Sequence, residues 1–219
     1  SSIAFNKTIS KNKILKEGIE KIGQVDLFHA KNLGYKIKLL AISEIINNKL
    51  LERVHPCLVL KNSYIANING ILNAVVIDGI PVGKTVLQGE GAGPGPTTSS
   101  LISDLCSILK GDIKFPFGVS YLRRKNIKKF DLSYHSSSSY LRIEVRDLPG
   151  VLSSITKIFS KNKISIKNLI QVPDRVNNKA SIAIITHKSL EKSYRNLLNN
   201  LSRNKYVVKK PIFIRVENI

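Results

Sequence analysis

Between Ser139 and Ile219 the hydrophobic period switches between 2 and 3.6 in an order that few folds accept. "YLRIEVRD" alternates strictly, with Leu141, Ile143 and Val145 on one side and Arg142, Glu144 and Arg146 on the other. "LPGVLSSITKIFSKNK" then puts Val151, Leu152, Ile155, Ile158 and Phe159 on one helical face, with Pro149 expected in the first turn. "ISIKNLIQ" and "ASIAIIT" read as strands. "SLEKSYRNLLNNLSRN" is a second amphipathic helix carrying Leu190, Tyr194, Leu197, Leu198 and Leu201, with Ser189 expected as N-cap. "PIFIRVE" closes with Ile212, Ile214 and Val216 alternating. Right-handed crossovers turn this βαββαβ order into a four-stranded antiparallel sheet with two helices on one face, a ferredoxin-like unit in an α+β chain.

The residues before it, to about Lys110, read as a separate block. "GIEKIGQVDLFHAKNLG" contains a helix with Val25, Phe28 and Leu33 at helical spacing and Gly34 in the C′ position. "YKIKLLAISEI" and "KLLERVHPCLVL" read as strands, the second an edge or a bend because of Pro56. "ILNAVVIDGIPVGKTVLQG" gives two strands joined at "DGIP", and "TTSSLISDLCSILKG" a helix with Leu101, Leu105 and Ile108 on one face. The expected division is 1–110, a basic linker over 111–138, and 139–219.

Between the last strand and that helix stands "GEGAGPGPT". Small side chains let backbone N–H groups approach a ligand, and a helix start favours an anion. The alternative is that the glycines only form a tight turn.

Composition excludes more than it assigns. No run of 18 apolar residues suggests a membrane helix, and no secretory leader pattern opens the chain. The formal net charge of +20 raises a nucleic-acid reading. The lysines are nevertheless scattered among Asn and Ile, with little aromatic interleaving, and the densest patch, Arg123–Lys129, lies in the linker. No nucleic-acid partner is expected. Cys57 and Cys106 are far apart and read as reduced, buried thiols of a cytoplasmic protein. His29, His55, His135 and His187 lack metal-ligand spacing, so no metal is expected, and His55 in "RVHP" reads as hydrogen-bonded at a strand end. "NINGILN" carries a turn signal at Asn69 and Gly70. The absence of methionine and the abrupt opening "SSIAF" suggest a piece of a longer chain.

Over nearly all of its length the sequence resembles a known family. "RDLPGVLSSITKIFSKNKISIKNLIQ" is similar to an ACT domain, the amino-acid-sensing module of biosynthetic enzymes. "RVHP", "NINGILNAV" and "GAGPGPT" resemble the end of the catalytic region of homoserine dehydrogenase, a partial mixed-sheet substrate and dimerisation domain. The resemblance implies interconversion of L-homoserine and L-aspartate 4-semialdehyde with NAD or NADP, in threonine, methionine and isoleucine biosynthesis. In the family a Rossmann domain and the catalytic lysine and acidic residues precede the "SIAF" string. None is present here, so the chain is expected to hold no catalytic residue and to be inactive alone. What remains is the cofactor-facing Gly91, Ala92 and Gly93. The family usually reads "GPGAG" where this chain has "GEGAG", and Glu90 brings a carboxylate to the loop.

The resemblance also implies an effector site. Asp147 at a strand end would hold the ammonium of an amino acid, and N–H groups at Gly150 and Val151 its carboxylate. Modules pair side by side in the family, which would bring Asn168 and Gln171 to the same pocket. The alternative is that Asp147 only caps the helix. The implied effector is L-threonine and the implied assembly a homo-oligomer, dimer or tetramer. Readings from other classes are a stand-alone amino-acid-binding regulator and the basic nucleic-acid binder.

Overall fold

The computed structural model describes residues 1–8, 14–112, 118–174 and 176–219. Most of the linker string "FPFG" therefore lies outside the described residues. In chain order the elements are α1 (Ser2–Phe5), β1 (Leu15–Lys16), α2 (Gln24–Asn32), β2 (Tyr35–Ile46), β3 (Lys49–Leu60), β4 (Leu72–Gly79), β5 (Gly83–Glu90) and α3 (Pro94–Leu109). They are followed by β6 (Ser136–Arg146), α4 (Val151–Lys161), β7 (Ile166–Asp174), β8 (Lys179–Thr186), β9 (Ser189–Leu190), α5 (Glu191–Ser202) and β10 (Ile212–Glu217).

The βαββαβ reading holds. Strands β10, β6, β8 and β7 lie side by side, each pair antiparallel. Helices α4 and α5 cover one face through Val151, Ile155, Phe159, Tyr194, Leu197 and Leu201, packed on Leu141, Ile143, Ile182 and Ile184. Each side chain buried in this way contributes roughly 1.5–3 kcal/mol.

The sheet does not stop at the second block. Strand β10 pairs in parallel with β3, Arg215 opposite Cys57 and Glu217 opposite Val59, so one mixed sheet runs through both halves of the chain. On the face away from α4 and α5, Leu58, Tyr140, Ile185, Ile214 and Val216 form a second core with Ala30 of α2. Two blocks legible as separate in sequence thus share a sheet and a core. The linker is held too: Leu50 N–H donates to the Lys128 carbonyl at 2.8 Å, Phe130 N–H donates to the Leu50 carbonyl at 2.8 Å, and the Phe130 side chain is buried.

Several local expectations change. Strand β3 is not an edge: β2 pairs along its whole length on one side. On the other side β1 pairs with Arg53 and Val54, and β10 takes over at Cys57. Pro56, which has no N–H to give, sits at that changeover. Strand β6 begins at Ser136, inside the expected linker. Helix α3 begins at Pro94, not after the prolines, with Gly93 as N-cap at φ 118°. Pro149 lies before α4, whose N-cap is Gly150. Ser189 is not the N-cap of α5; it pairs with Ser137 in β9, and Leu190 takes the cap position. Gly34 ends α2 at φ 83°, as its place in the sequence suggests.

The face of α3 carrying Leu101, Leu105 and Ile108 forms, but these side chains stay exposed, as do Val75, Ile77 and Leu87 of the β4–β5 hairpin. Cys106, expected to be buried, is exposed on the same helix, whereas Cys57 is buried in β3.

Candidate functional site

The chain leaves β6 at Arg146 and turns through Asp147–Gly150 into α4. Gly150 has φ 81°, and a Cβ there would meet nothing within 4 Å, so glycine is required by backbone conformation and not by space. Val151 N–H donates to the Leu148 carbonyl at 3.3 Å, and no side chain caps α4. The remaining first-turn N–H groups therefore face the turn, where the helix dipole adds positive potential.

Asp147 is exposed and does not cap the helix. Its N–H donates to the Asn178 carbonyl at 3.1 Å, which ties the turn to the β7–β8 hairpin. Its Oδ1 accepts from Gln171 Nε2 at 3.4 Å. The structure thus brings together Asp147, Gln171, Gly150 and the start of α4 at Val151. It does not bring in Asn168 of the same chain. Asn168 and Gln171 lie three residues apart on a strand with no irregularity between them, so they point to opposite faces. A carboxylate, a carboxamide and a helix N-terminus within one turn can hold an ammonium and a carboxylate together, the two charges of a free α-amino acid.

The glycine-rich loop has different chemistry. Gly91 N–H donates to the Ile71 carbonyl at 2.9 Å, and a Cβ at Gly91 would lie 1.4 Å from Asn73 Nδ2. Gly91 is therefore small because Asn73 crosses it. Pro94 and Pro96 remove two of the first three N–H groups of α3, leaving only Gly95 with a donor among them. Ala92 and Gly93 are exposed with little around them. With the Gly91 N–H spent on Ile71 and one donor left in the first turn of α3, these residues do not fit a phosphate cradle.

His55 is in the middle of β3, not at a strand end, and fully buried. Its Nδ1 donates to the Pro56 carbonyl at 3.0 Å, with Cys57 Sγ 3.2 Å away. Its Nε2 faces Glu217 Oε1 at 3.9 Å. Burial pushes His55 down to about 4 and the Cys57 thiol up. His55, Cys57 and Glu217 are a group of three possible metal donors, which the sequence spacing did not suggest. Arg53 Nη2 holds both oxygens of Glu217 at 3.1 Å, however, and Arg215 lies beside them, so the cluster reads as part of an ion-pair network. Arg215 in turn is clamped by Glu191 and Glu17. His29 meets Ser181 Oγ at 3.1 Å, and His135 lies 3.7 Å from Glu44.

Sequence reasoning missed the buried charges. Asp26 on α2 accepts from Tyr140 Oη at 3.0 Å and from Arg142 Nε at 2.7 Å. The alternation in β6 identified the face of Arg142, but nothing in it said that α2 covers that face.

Residues 1–106 match the sequence profile of homoserine dehydrogenase, and residues 139–204 that of the ACT domain. The chain is 35% identical over 221 residues to the homoserine dehydrogenase of Helicobacter pylori, covering all of this chain and 51% of that protein. It is 32% identical to the homoserine dehydrogenase of Pseudomonas aeruginosa, covering all of this chain and 52% of the relative. A crystal structure of a homoserine dehydrogenase from Thiobacillus denitrificans superposes with a TM-score of 0.86 at 31% identity, over 99% of this chain and 50% of that one. The chain therefore spans about half the length of the curated relatives it matches.

Proposed function

We propose that the chain, whose residues 1–106 match the homoserine dehydrogenase model and whose residues 139–204 match the ACT domain, is the C-terminal, regulatory portion of a homoserine dehydrogenase. The parent enzyme would transfer hydride between NAD or NADP and the pair L-homoserine and L-aspartate 4-semialdehyde in the cytoplasm. The observation that carries this reading is the likeness, over 99–100% of this chain and about half of each relative, to homoserine dehydrogenases at 31–35% identity. Within it, Gly91, Ala92 and Gly93 would touch the cofactor through backbone. The nicotinamide would supply the hydride chemistry.

The Asp147–Val151 turn would take an amino-acid effector, L-threonine by family membership, with Gln171 beside the ammonium partner. Asn168 would join only across a pair of modules, in a homo-oligomeric dimer or tetramer. The modules would divide as 1–110, a linker over 111–138 and 139–219, with the shared sheet as the mechanical link between them.

The test is direct. The purified 219-residue chain, offered L-homoserine with NAD or NADP, is expected to show no turnover, and calorimetric titration with L-threonine is expected to give saturable heat. Turnover above a blank would overturn the partial-chain reading. Absence of heat with every amino acid would remove the sensing role.

A further inference from the structure

Helix α2 lies inside out. Its buried residues are Asp26, His29 and Ala30, while the apolar Val25 and Phe28 are about half exposed. Those two side chains do not face bulk solvent on a convex surface. They form one wall of a cleft of about 550 Å³, whose other wall is the open face of the sheet at the ends of β6, β7 and β8. The volume falls within the roughly 300–1,000 Å³ of small-molecule sites, and a mostly apolar lining with a few polar groups is what such sites have. The cleft is separate from the Asp147 turn, which lies on the helix-covered side of β6.

The polar groups in the cleft carry both signs. Lys179 at the start of β8 makes no ion pair within 4 Å among the described residues, although the exposed Asp174 stands opposite it across the β7–β8 pair and feels its charge. Ser181, two residues along the same face, has its hydroxyl 3.1 Å from His29 Nε2. His29 is buried, and that burial lowers its pKa; in the neutral tautomer that carries its proton on Nε2 the ring donates to Ser181 Oγ, which leaves the Ser181 O–H free to donate onward. Beside Ser181 on the neighbouring strand of the same sheet wall, Glu144 accepts one bond from Arg142 at 2.7 Å and is ion-paired with Lys209 at 3.2 Å, and a carboxylate has lone pairs beyond those two.

We propose that the cleft between α2 and the β6–β8–β7 face binds a free α-amino acid with an aliphatic side chain. The carboxylate lies on Lys179 and Ser181, the ammonium on Glu144, and the side chain between Val25, Phe28 and Val172. Charge complementarity selects the zwitterion, and the apolar walls exclude a small polar side chain. Because α2 belongs to the first half of the chain and the strands to the second, an occupant bridges the two.

The experiment titrates the full 219-residue chain with L-leucine, by calorimetry and by amide chemical shifts. Saturable binding is expected, with 4-methylpentanoate, which lacks the ammonium, and 3-methylbutylamine, which lacks the carboxylate, binding at least tenfold more weakly. Lys179→Ala and Phe28→Ala should each weaken leucine about tenfold or more with unchanged melting, since neither side chain is in a core. Asp147→Ala should leave leucine affinity unchanged. If Asp147→Ala alone abolishes leucine binding, the ligand enters at the turn: this proposal falls and the effector reading stands. No saturable binding, or a fall in sedimentation coefficient on Phe28→Ala showing that a second copy covers the face, would also overturn it.

Discussion

Asp26 and Arg142, 116 residues apart in sequence, form a bidentate pair in which the carboxylate is fully buried: Arg142 Nε donates to Oδ1 at 2.7 Å and Nη2 to Oδ2 at 3.1 Å. Tyr140 and the Gly23 N–H use the remaining capacity of the same carboxylate. This one side chain caps α2 at its start and fastens it to the sheet of the second half. Asp26→Ala should cost about 3–5 kcal/mol, because it leaves a guanidinium with little exposure short of its main partner. Denaturant midpoints measure it; a loss below about 1 kcal/mol would mean that α2 is held by Ala30 and its apolar neighbours alone.

Among the described residues, Arg215 and Glu191 form the deepest ion pair, with side chains 2% and 5% exposed. Breaking it from one side should cost about 3–5 kcal/mol, while replacing both partners by Leu should cost much less than the sum of the single changes. Additive losses in a double-mutant cycle would refute a coupled pair. Glu17 also holds Arg215, at 2.8 Å, but is partly exposed, so Glu17→Gln should have the smaller effect.

Stability should fall on mild acidification. His55 sits at about 4 in the folded chain against roughly 6.5 unfolded, so as pH drops the unfolded state takes the proton first. The stabilisation is complete above about 6.5 and is lost towards 4, at about 1.4 kcal/mol per pH unit. His29 and His135, also lowered by burial, act in the same direction. Glu217 is raised by burial and acts oppositely: its contribution is present at low pH and is lost as pH rises through its folded value. Urea midpoints at pH 7 and pH 5 for wild type and His55→Gln separate these. The variant should lose up to about 2 kcal/mol less over that interval, and parallel losses would exclude His55 as the source.

Asp147→Ala should weaken L-threonine binding roughly ten- to a hundred-fold, through loss of a charge-assisted bond of about 1.5–3 kcal/mol. Its fold should be intact, since Asp147 is exposed and caps nothing. Gly150→Ala should do the converse, costing about 1–2 kcal/mol of stability at φ 81° while retaining the carboxylate. Equal threonine affinity in wild type and Asp147→Ala would take Asp147 out of the effector site.

What the sequence by itself determined is local. Alternation from Leu141 to Val145 and the helical faces of Ile155, Phe159, Tyr194 and Leu197 dictate each element and its buried side, because period and side-chain direction are properties of a few consecutive residues. Gly34, in the C′ position, announces left-handed backbone for the same reason. Which elements meet was decided only in three dimensions. The parallel pairing of β10 with β3 makes a central strand of a segment containing proline, and no local signal names a partner edge. Helix α2 buries Asp26 and His29 while exposing Val25 and Phe28, because Arg142, Tyr140 and Ser181 wait more than a hundred residues away to satisfy them. A buried charge looks like a surface charge until its counter-ion is in place, so Arg53, Arg215 and Asp26 could be recognised only after the sheet that joins the two halves had brought their partners within reach.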